Sequence, residues 1–289
     1  MNGGAHTSAW CDNTLAPQAR ITAEREGCVY ALMENVIRAN EFADAGGRAL
    51  AQPVASIIIP IHNEESFLAE ALAELQSGLE TTGVAYELIL CENGSTDKTR
   101  ELAFSLAEEQ PHTRLLTTDS PDYGGAMKMG VLAANGPHII VFDIDYSSVR
   151  FMNEALVLLE DYDVVLASKL APGTEDKRGL ARQTITRGFS LVLKILFNTK
   201  LSDTHGMKAF RRKKIESLVL QSRMSKDLFD TELILRAERN GLKIKEIPVV
   251  IEEKRAARSS ILKRIPRTVF GLLRLRYFFT IESQRERSA

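Results

Sequence analysis

The chain has 289 residues, 44% of them hydrophobic, and a formal net charge of −1. That length accommodates one large α/β domain with a substantial core, or two small ones. Near-neutrality excludes a bulk nucleic-acid binder, which needs a basic excess to neutralise phosphates. The balance is uneven, because from Lys254 onward ten Lys and Arg face only Glu282 and Glu286. Such a distribution suits a local anionic partner, a membrane surface or a pyrophosphate.

Cys11, Cys28 and Cys91 are far apart, odd in number and form no C-x-x-C pair. The expectation is a reducing compartment, with neither a disulfide framework nor a zinc site. No basic region followed by an apolar run opens the chain, and no apolar stretch nears the roughly 18 residues that span a bilayer. A cytoplasmic location is therefore expected, soluble or peripheral on the inner face of the membrane.

In chain order, residues 1–53 read as an N-terminal extension, with one helix over Val29–Phe42 and a break at Ala45-Gly46-Gly47. Val54–Pro60 is an Ile-rich apolar run, the pattern of a buried strand. Helical spacing over Glu64–Leu79 precedes a second apolar run at Glu87–Cys91. Lys98–Glu108 reads as a helix, Arg114–Thr117 as a strand, Ala126–Ala134 as a helix and His138–Phe142 as a strand. A helix over Asn153–Glu160 and a strand over Val164–Ala167 continue the alternation. Alternating strands and helices of this kind predict a mostly parallel sheet flanked by helices on both sides. In such sheets ligands bind beyond the carboxyl ends of the strands.

Four consecutive strand ends carry polar or acidic residues: Pro60-Ile61-His62-Asn63-Glu64, Glu92-Asn93-Gly94-Ser95-Thr96-Asp97, Asp119 to Gly125, and Asp143-Ile144-Asp145. The last is the sharpest. Two carboxylates two residues apart, just past a buried strand, suit Mg²⁺ or Mn²⁺, which take oxygen ligands from one or two carboxylates plus substrate phosphates. Asp161-Tyr162-Asp163 repeats the tripeptide but precedes its strand, at the opposite edge, and reads as a solvated turn. In the second loop Glu92 can accept from a base N–H, and Ser95 or Thr96 can cap the next helix. Gly124, Gly125 and Lys128 can approach a diphosphate at a helix N-terminus. No G-x-G-x-x-G or Walker A pattern is present, which argues against a dinucleotide dehydrogenase or P-loop ATPase.

Together these residues resemble glycosyltransferase family 2, and within it the dolichol-phosphate mannose or glucose synthase branch, from about Val54 to Glu252. Ser202 to Phe210, Phe229-Asp230-Thr231-Glu232-Leu233 and Ile244 to Val249 resemble further motifs of that family. The resemblance implies a GT-A (Rossmann-like) domain over 54–255, after the extension and before a basic amphipathic helical tail at 256–289. It implies inverting transfer of a hexose from a GDP- or UDP-linked donor, with Mg²⁺ or Mn²⁺ on Asp143 and Asp145. Carried over, Pro60, Asn63, Glu64, Glu92 and Asp122 line the nucleotide site, with Gly124 and Lys128 beside the diphosphate. Lys169, Arg182, Thr186 and Arg187 would meet an acceptor phosphate, and Asp203 lies near the acceptor. The chain departs from the family at Glu92-Asn93, where a D-D pair is usual, and after Asp145, where a Gln is usual. It is also one residue short over 203–208.

A polyprenyl phosphate acceptor is already ionised and requires positioning rather than a strong base. A hydroxyl acceptor requires a base within reach, for which Asp203 is the candidate. A non-catalytic nucleotide-sugar binder is the third reading. Gly188–Phe197 and Ile265–Ile281 combine apolar residues with flanking Arg, as bilayer-surface helices do. Lys254 to Arg258, with Ser259 and Ser260, form a candidate loop over the donor diphosphate.

Overall fold

The structure is a computed structural model that describes residues 52–225, 228–251 and 261–288. The predicted extension, with its Val29–Phe42 helix, and the predicted diphosphate loop at 254–260 lie outside the described residues.

Strand β1 (Ala55–Ile61) is buried at every position except the half-buried Pro60. Its unbroken apolar run suits a central strand covered on both faces. It pairs in parallel with β2 (Tyr86–Asn93) on one side and β4 (His138–Val141) on the other. Strand β3 (Thr113–Thr118) extends the sheet beyond β2. Helices α1 (Leu68–Glu80), α2 (Thr99–Glu109), α3 (Tyr123–Ala133) and α4 (Val149–Leu158) follow these strands in turn.

Successive β1 side chains serve opposite layers. Ile57, Ile59 and Ile61 join one core with Leu68, Leu72, Leu75 and Leu79 of α1 and with Phe151 and Met152 of α4. Each fully buried Ile or Leu there contributes roughly 1.5–3 kcal/mol. Ile58 faces the other layer, where α3 lies so close that a Cβ at Gly130 would sit 2.7 Å from Ile58 and 2.8 Å from Cys91.

After β5 (Val164–Ser168), the hairpin-sized β6 (Glu175–Asp176) and α5 (Leu180–Phe197), the chain departs from simple alternation. Strand β7 (Lys208–Arg211) inserts between β4 and β5 and runs antiparallel to both. Helices α6 (Arg212–Gln221) and α7 (Phe229–Arg239) follow, then β8 (Ile244–Pro248) beside β5. The seven strands are ordered β3-β2-β1-β4-β7-β5-β8, and β9 (Val250–Ile251) pairs with β6 as a separate ribbon. Neither β7 nor α6 was expected from sequence patterning. Strand β7 has four residues, KAFR, too few to declare a period. The helix expected at Ala126 starts at Tyr123, and the one expected at Gly188 starts at Leu180.

Helix α8 (Ile261–Ser288) packs Leu272, Leu275 and Phe279 inward. Arg236 of α7 clamps it by reaching Glu282 through both terminal nitrogens, at 2.9 and 3.1 Å. No described helix is long and apolar enough to cross a membrane.

Candidate active site

The parallel strands β1, β2 and β4 deliver their C-terminal loops to one edge. Because β7 is antiparallel, its beginning reaches the same edge, where Lys208 is in register with Val141 of β4 and Leu166 of β5. The insertion thereby brings the segment 199–207 beside Asp143.

The first two loops are stitched together. Asn63 adopts a left-handed backbone, φ +55°. Its N–H donates to Ser95 Oγ at 3.0 Å, and its Oδ1 accepts from the Thr96 N–H at 2.8 Å. Glu64 N–H donates to Thr99 Oγ1 at 2.6 Å. Gly94 has φ +59°, and a Cβ there would meet the Ser120–Pro121 backbone at 2.6–2.8 Å. Only glycine fits where the second and third loops cross. Asn93 Oδ1 accepts from the Asp122 N–H, completing the link.

This stitching corrects several expectations. Glu92 is fully buried, with one oxygen accepting from the Ser95 N–H and the other pairing with Arg100 Nε at 2.8 Å. It braces the loop from within and offers no surface to a base. Ser95 and Thr96 do not cap α2, which starts at Thr99 with Asp97 Oδ1 accepting its N–H at 3.0 Å. Gly124 is buried, and a Cβ on it would sit 2.9 Å from the Met224 carbonyl and 3.0 Å from Phe229. Its small size admits α7, not a diphosphate. Lys128 Nζ donates to the Ser222 carbonyl at 2.6 Å, just past the end of α6. Pro60, Asn63 and Asp122 remain half-buried at the edge, whereas Glu64 is buried beneath it.

Asp143 is exposed and Asp145 half-buried, just beyond β4. A bridge between Asp143 and Tyr146 closes the turn that carries them. Asp143 keeps solvent access but sits among the charges of Asp145, Lys169, Lys208 and Asp230. Desolvation by the protein around it, with repulsion from Asp230 and Asp145, holds its carboxyl above its ordinary pKa despite the pull of Lys208 and Lys169. Among the described residues no group of three His, Cys, Asp or Glu side chains forms a complete metal cage. Two carboxylates two residues apart at a strand end nonetheless fit Mg²⁺ or Mn²⁺, provided that phosphate oxygens and water supply the remaining ligands. Asp163 of the second D-x-D accepts from the Lys243 N–H at 3.0 Å and lies 3.7 Å from Arg211, at the far edge.

Near this turn, Lys208 is 3% exposed and donates to Asp230 Oδ2 at 2.9 Å and to the Gly206 carbonyl at 2.7 Å. Tyr123 Oη donates to the same Asp230 oxygen at 3.0 Å. Lys169 Nζ donates to Asp203 Oδ2 at 3.2 Å and to the His205 carbonyl at 2.8 Å. Asp203 is buried, and its other oxygen accepts from the His205 N–H at 2.9 Å. Burial would raise its carboxyl, but Lys169 and the backbone donors outweigh that and hold it below the ordinary range. A carboxylate so paired is a weaker base toward a hydroxyl than a free one. Glu246 of β8 fixes this segment from behind, accepting from Ser202 Oγ at 2.6 Å and the Asp203 N–H at 3.1 Å.

Of the other acceptor candidates, Arg182 and Thr186 are half-buried on α5 and Arg187 is exposed. Thr186 Oγ1 donates to the Arg182 carbonyl at 3.0 Å and accepts from Arg178, which grips Asp176 with two bonds of 2.7 and 2.8 Å. Tyr146 joins the two halves of the site. Its hydroxyl is buried with no hydrogen-bond partner. Burial pushes it up to about 12, with Asp203, Asp176 and Asp143 adding to the rise and Arg178 opposing it. Sequence reasoning missed Tyr146, Arg178, Tyr123, Lys208 and Asp230 as site residues. Lys208 and Asp230 stood inside motifs already noted, which was the available signal.

The family model for glycosyl transferase family 2 matches residues 56–219. The chain belongs to glycosyl transferase family 2. Among its relatives, glycosyltransferase AglD of Haloferax volcanii is 28% identical over 217 residues, covering 73% of this chain and 35% of that protein. The dolichyl-phosphate beta-glucosyltransferase of Dictyostelium discoideum is 27% identical over 212 residues, 67% of this chain and 65% of that enzyme. The chain thus spans from about a third to two thirds of the length of these relatives. Glucosyl-3-phosphoglycerate synthase from Mycobacterium tuberculosis, solved with Mg²⁺ and uridine diphosphate, shares the GT-A fold. It aligns with a TM-score of 0.57 at 21% identity, over 85% of this chain and 83% of that one.

Proposed function

We propose that this family 2 member transfers a hexose, with inversion, from a GDP- or UDP-linked donor to a polyprenyl phosphate of the dolichyl type at the inner membrane face. Residues 54–255 form the catalytic domain in this reading, and 256–289 the basic tail. The observation that carries it is the state of Asp203. The carboxylate that the sequence offered to activate a hydroxyl is buried and ion-paired with Lys169 at 3.2 Å. A carboxylate already engaged in this way is ill-suited to take a proton from a hydroxyl, which favours an acceptor that is already an anion. The relative named as a dolichyl-phosphate beta-glucosyltransferase supports the same acceptor.

Pro60, Asn63 and Asp122 line the donor nucleotide at the stitched loops. Asp143 and Asp145 would hold Mg²⁺ or Mn²⁺, which would neutralise charge on the leaving diphosphate. Lys169, Arg178 and Arg182 orient the acceptor phosphate, and the Tyr146 hydroxyl offers a hydrogen bond where donor and acceptor meet. No proton needs to be removed from the acceptor oxygen before it attacks the anomeric carbon.

The test is transfer from a panel of nucleotide sugars to a short, water-soluble prenyl phosphate, with and without divalent metal. Metal-dependent transfer that falls by about 10²–10³-fold in Asp143→Ala is expected, the scale of losing one electrostatic stabiliser of developing charge. Donor hydrolysis without transfer, or transfer indifferent to metal, would sink the proposal.

A further inference from the structure

Ten of the large hydrophobic side chains exposed on the described residues lie on just two helices. On α5 they include Leu191, Val192 and Ile195. On α8 they include Ile265, Val269, Leu273 and Tyr277, which recur every four residues and so form one stripe. The two helices touch through their inner sides, where Phe197 of α5 meets the Phe279 ring of α8 at 5.8 Å and Leu193, Leu228 and Leu272 share one apolar cluster. The apolar faces are therefore surplus to the core.

Charge accompanies them. Helix α5 carries Arg182, Arg187 and Lys194 and no acid. Helix α8 carries seven Lys and Arg against Glu282 and Glu286, and Glu282 is taken by Arg236 and Arg223. Arg267, Arg274 and Arg276 are all exposed. Beside the stripe, Arg223, Arg267 and Arg274 line a small pocket of about 170 Å³ that has no acidic residue in its wall. Arg223 and Arg274 both approach the Phe278 ring, at 5.0 and 5.2 Å, and because Arg223 also pairs with Glu282 at 3.2 Å, the pocket's surplus charge comes from Arg267 and Arg274. The pocket is smaller than the roughly 300 Å³ at which drug-sized ligand sites begin, but it has room for a phosphate headgroup.

We infer that the outer faces of α5 and α8 form a docking surface for an anionic lipid bilayer, with the α8 stripe inserted among acyl chains and the arginine pocket receiving a lipid phosphate. This rests on the functional reading only in so far as that reading places the acceptor in a membrane. An apolar stripe flanked by arginines matches both layers of a bilayer interface, hydrocarbon and anionic headgroup, at once. The first half of α5 also carries Arg182 and Thr186, so the docked surface adjoins the acceptor end of the site.

The experiment is flotation of the full chain with vesicles of phosphatidylcholine alone or mixed with phosphatidylglycerol, free of polyprenyl phosphate and donor. Binding to the mixed vesicles, weakened by salt and absent with phosphatidylcholine alone, is expected. Leu273→Gln with Tyr277→Gln should weaken it by about tenfold or more, since both side chains are exposed and no core contact is lost. Arg267→Gln with Arg274→Gln should weaken it by about fivefold per arginine. All four changes should leave transfer to a water-soluble prenyl phosphate and the melting temperature unaltered. Failure to float, or flotation indifferent to both double variants, overturns the surface while intact transfer leaves the functional reading standing. Binding of inorganic phosphate without vesicle binding overturns it in favour of a free anion. An oligomer that the stripe variant dissolves, with flotation unchanged, overturns it in favour of a second copy of the chain. Flotation without transfer would leave the surface intact and remove the functional reading alone.

Discussion

The Tyr146 hydroxyl lies between the acidic turn of β4 and the basic residues before α5, buried and without a partner. A buried hydroxyl normally finds one, because leaving it unmade costs about 1–3 kcal/mol. Tyr146→Phe removes only that oxygen. If a substrate oxygen completes the hydrogen bond, kcat/KM falls by about tenfold, the scale of one such bond. The melting temperature meanwhile stays level or rises, since an unsatisfied group has gone. A fall in both, or in stability alone, would assign Tyr146 to packing. Glu92 and Lys128 teach the converse. Their side chains are of the types that bind nucleotides, yet both are consumed inside the protein, by Arg100 and Ser95 in one case and by Ser222 in the other. Residue type announces what chemistry a side chain can do, whereas its neighbours decide whether it is available.

Between elements, the consequential contact is the clamp of α7 on α8. Glu232 is fully buried, accepts from the Arg223 and Met224 N–H groups and pairs with Arg236, which passes its remaining donors to Glu282. Removing one partner of a buried pair strands the other. Arg236→Met is therefore expected to lower the unfolding free energy by about 3 kcal/mol in urea titrations. Arg239→Ala, which removes an exposed contact to Ser283 and the face of Phe279, should cost no more than about 1 kcal/mol. Equal losses in the two variants would show that burial of the pair is not what matters. The same clamp holds α8 with its stripe outward, so the element that closes the core also presents the proposed lipid surface.

At the scale of the whole molecule, the sheet has two edges with different work. The C-terminal edge collects the site, and the other is fastened by buried ionic groups. Glu87 near the start of β2 accepts from Ser56 Oγ at 2.6 Å, the Asn135 N–H at 2.6 Å and Arg114 at 2.9 Å. Burial pushes its carboxyl up, but these donors outweigh burial and hold it below its ordinary value. A carboxyl depressed in the folded state adds stability above its unfolded pKa and loses it as pH falls through the folded one. Urea midpoints measured from neutral to acid pH should therefore fall in that window. Glu87→Gln should start lower at neutral pH and fall less steeply. Parallel curves for the two proteins would exclude Glu87 as a source of acid sensitivity.

Much of this architecture is carried by local pattern. The Ile run of β1, the helical spacing of α1 and the place of Asp143-Ile144-Asp145 after a strand all follow from which residues prefer burial and with what period, and these depend on neighbours in sequence. That local logic also told the two D-x-D tripeptides apart, since one follows its strand and the other precedes it. What only the tertiary structure decided were the partners. The insertion of β7 between β4 and β5, the pairing of Lys169 with Asp203 and of Lys208 with Asp230, the closure of Glu92 behind Arg100 and the close approach of α7 to Gly124 join residues from 8 to 105 positions apart. A four-residue strand has no period to read, and an acid carries no local mark of the base that will neutralise it. Those choices are made by the packing of the whole sheet, where each buried charge must find a partner or be expelled.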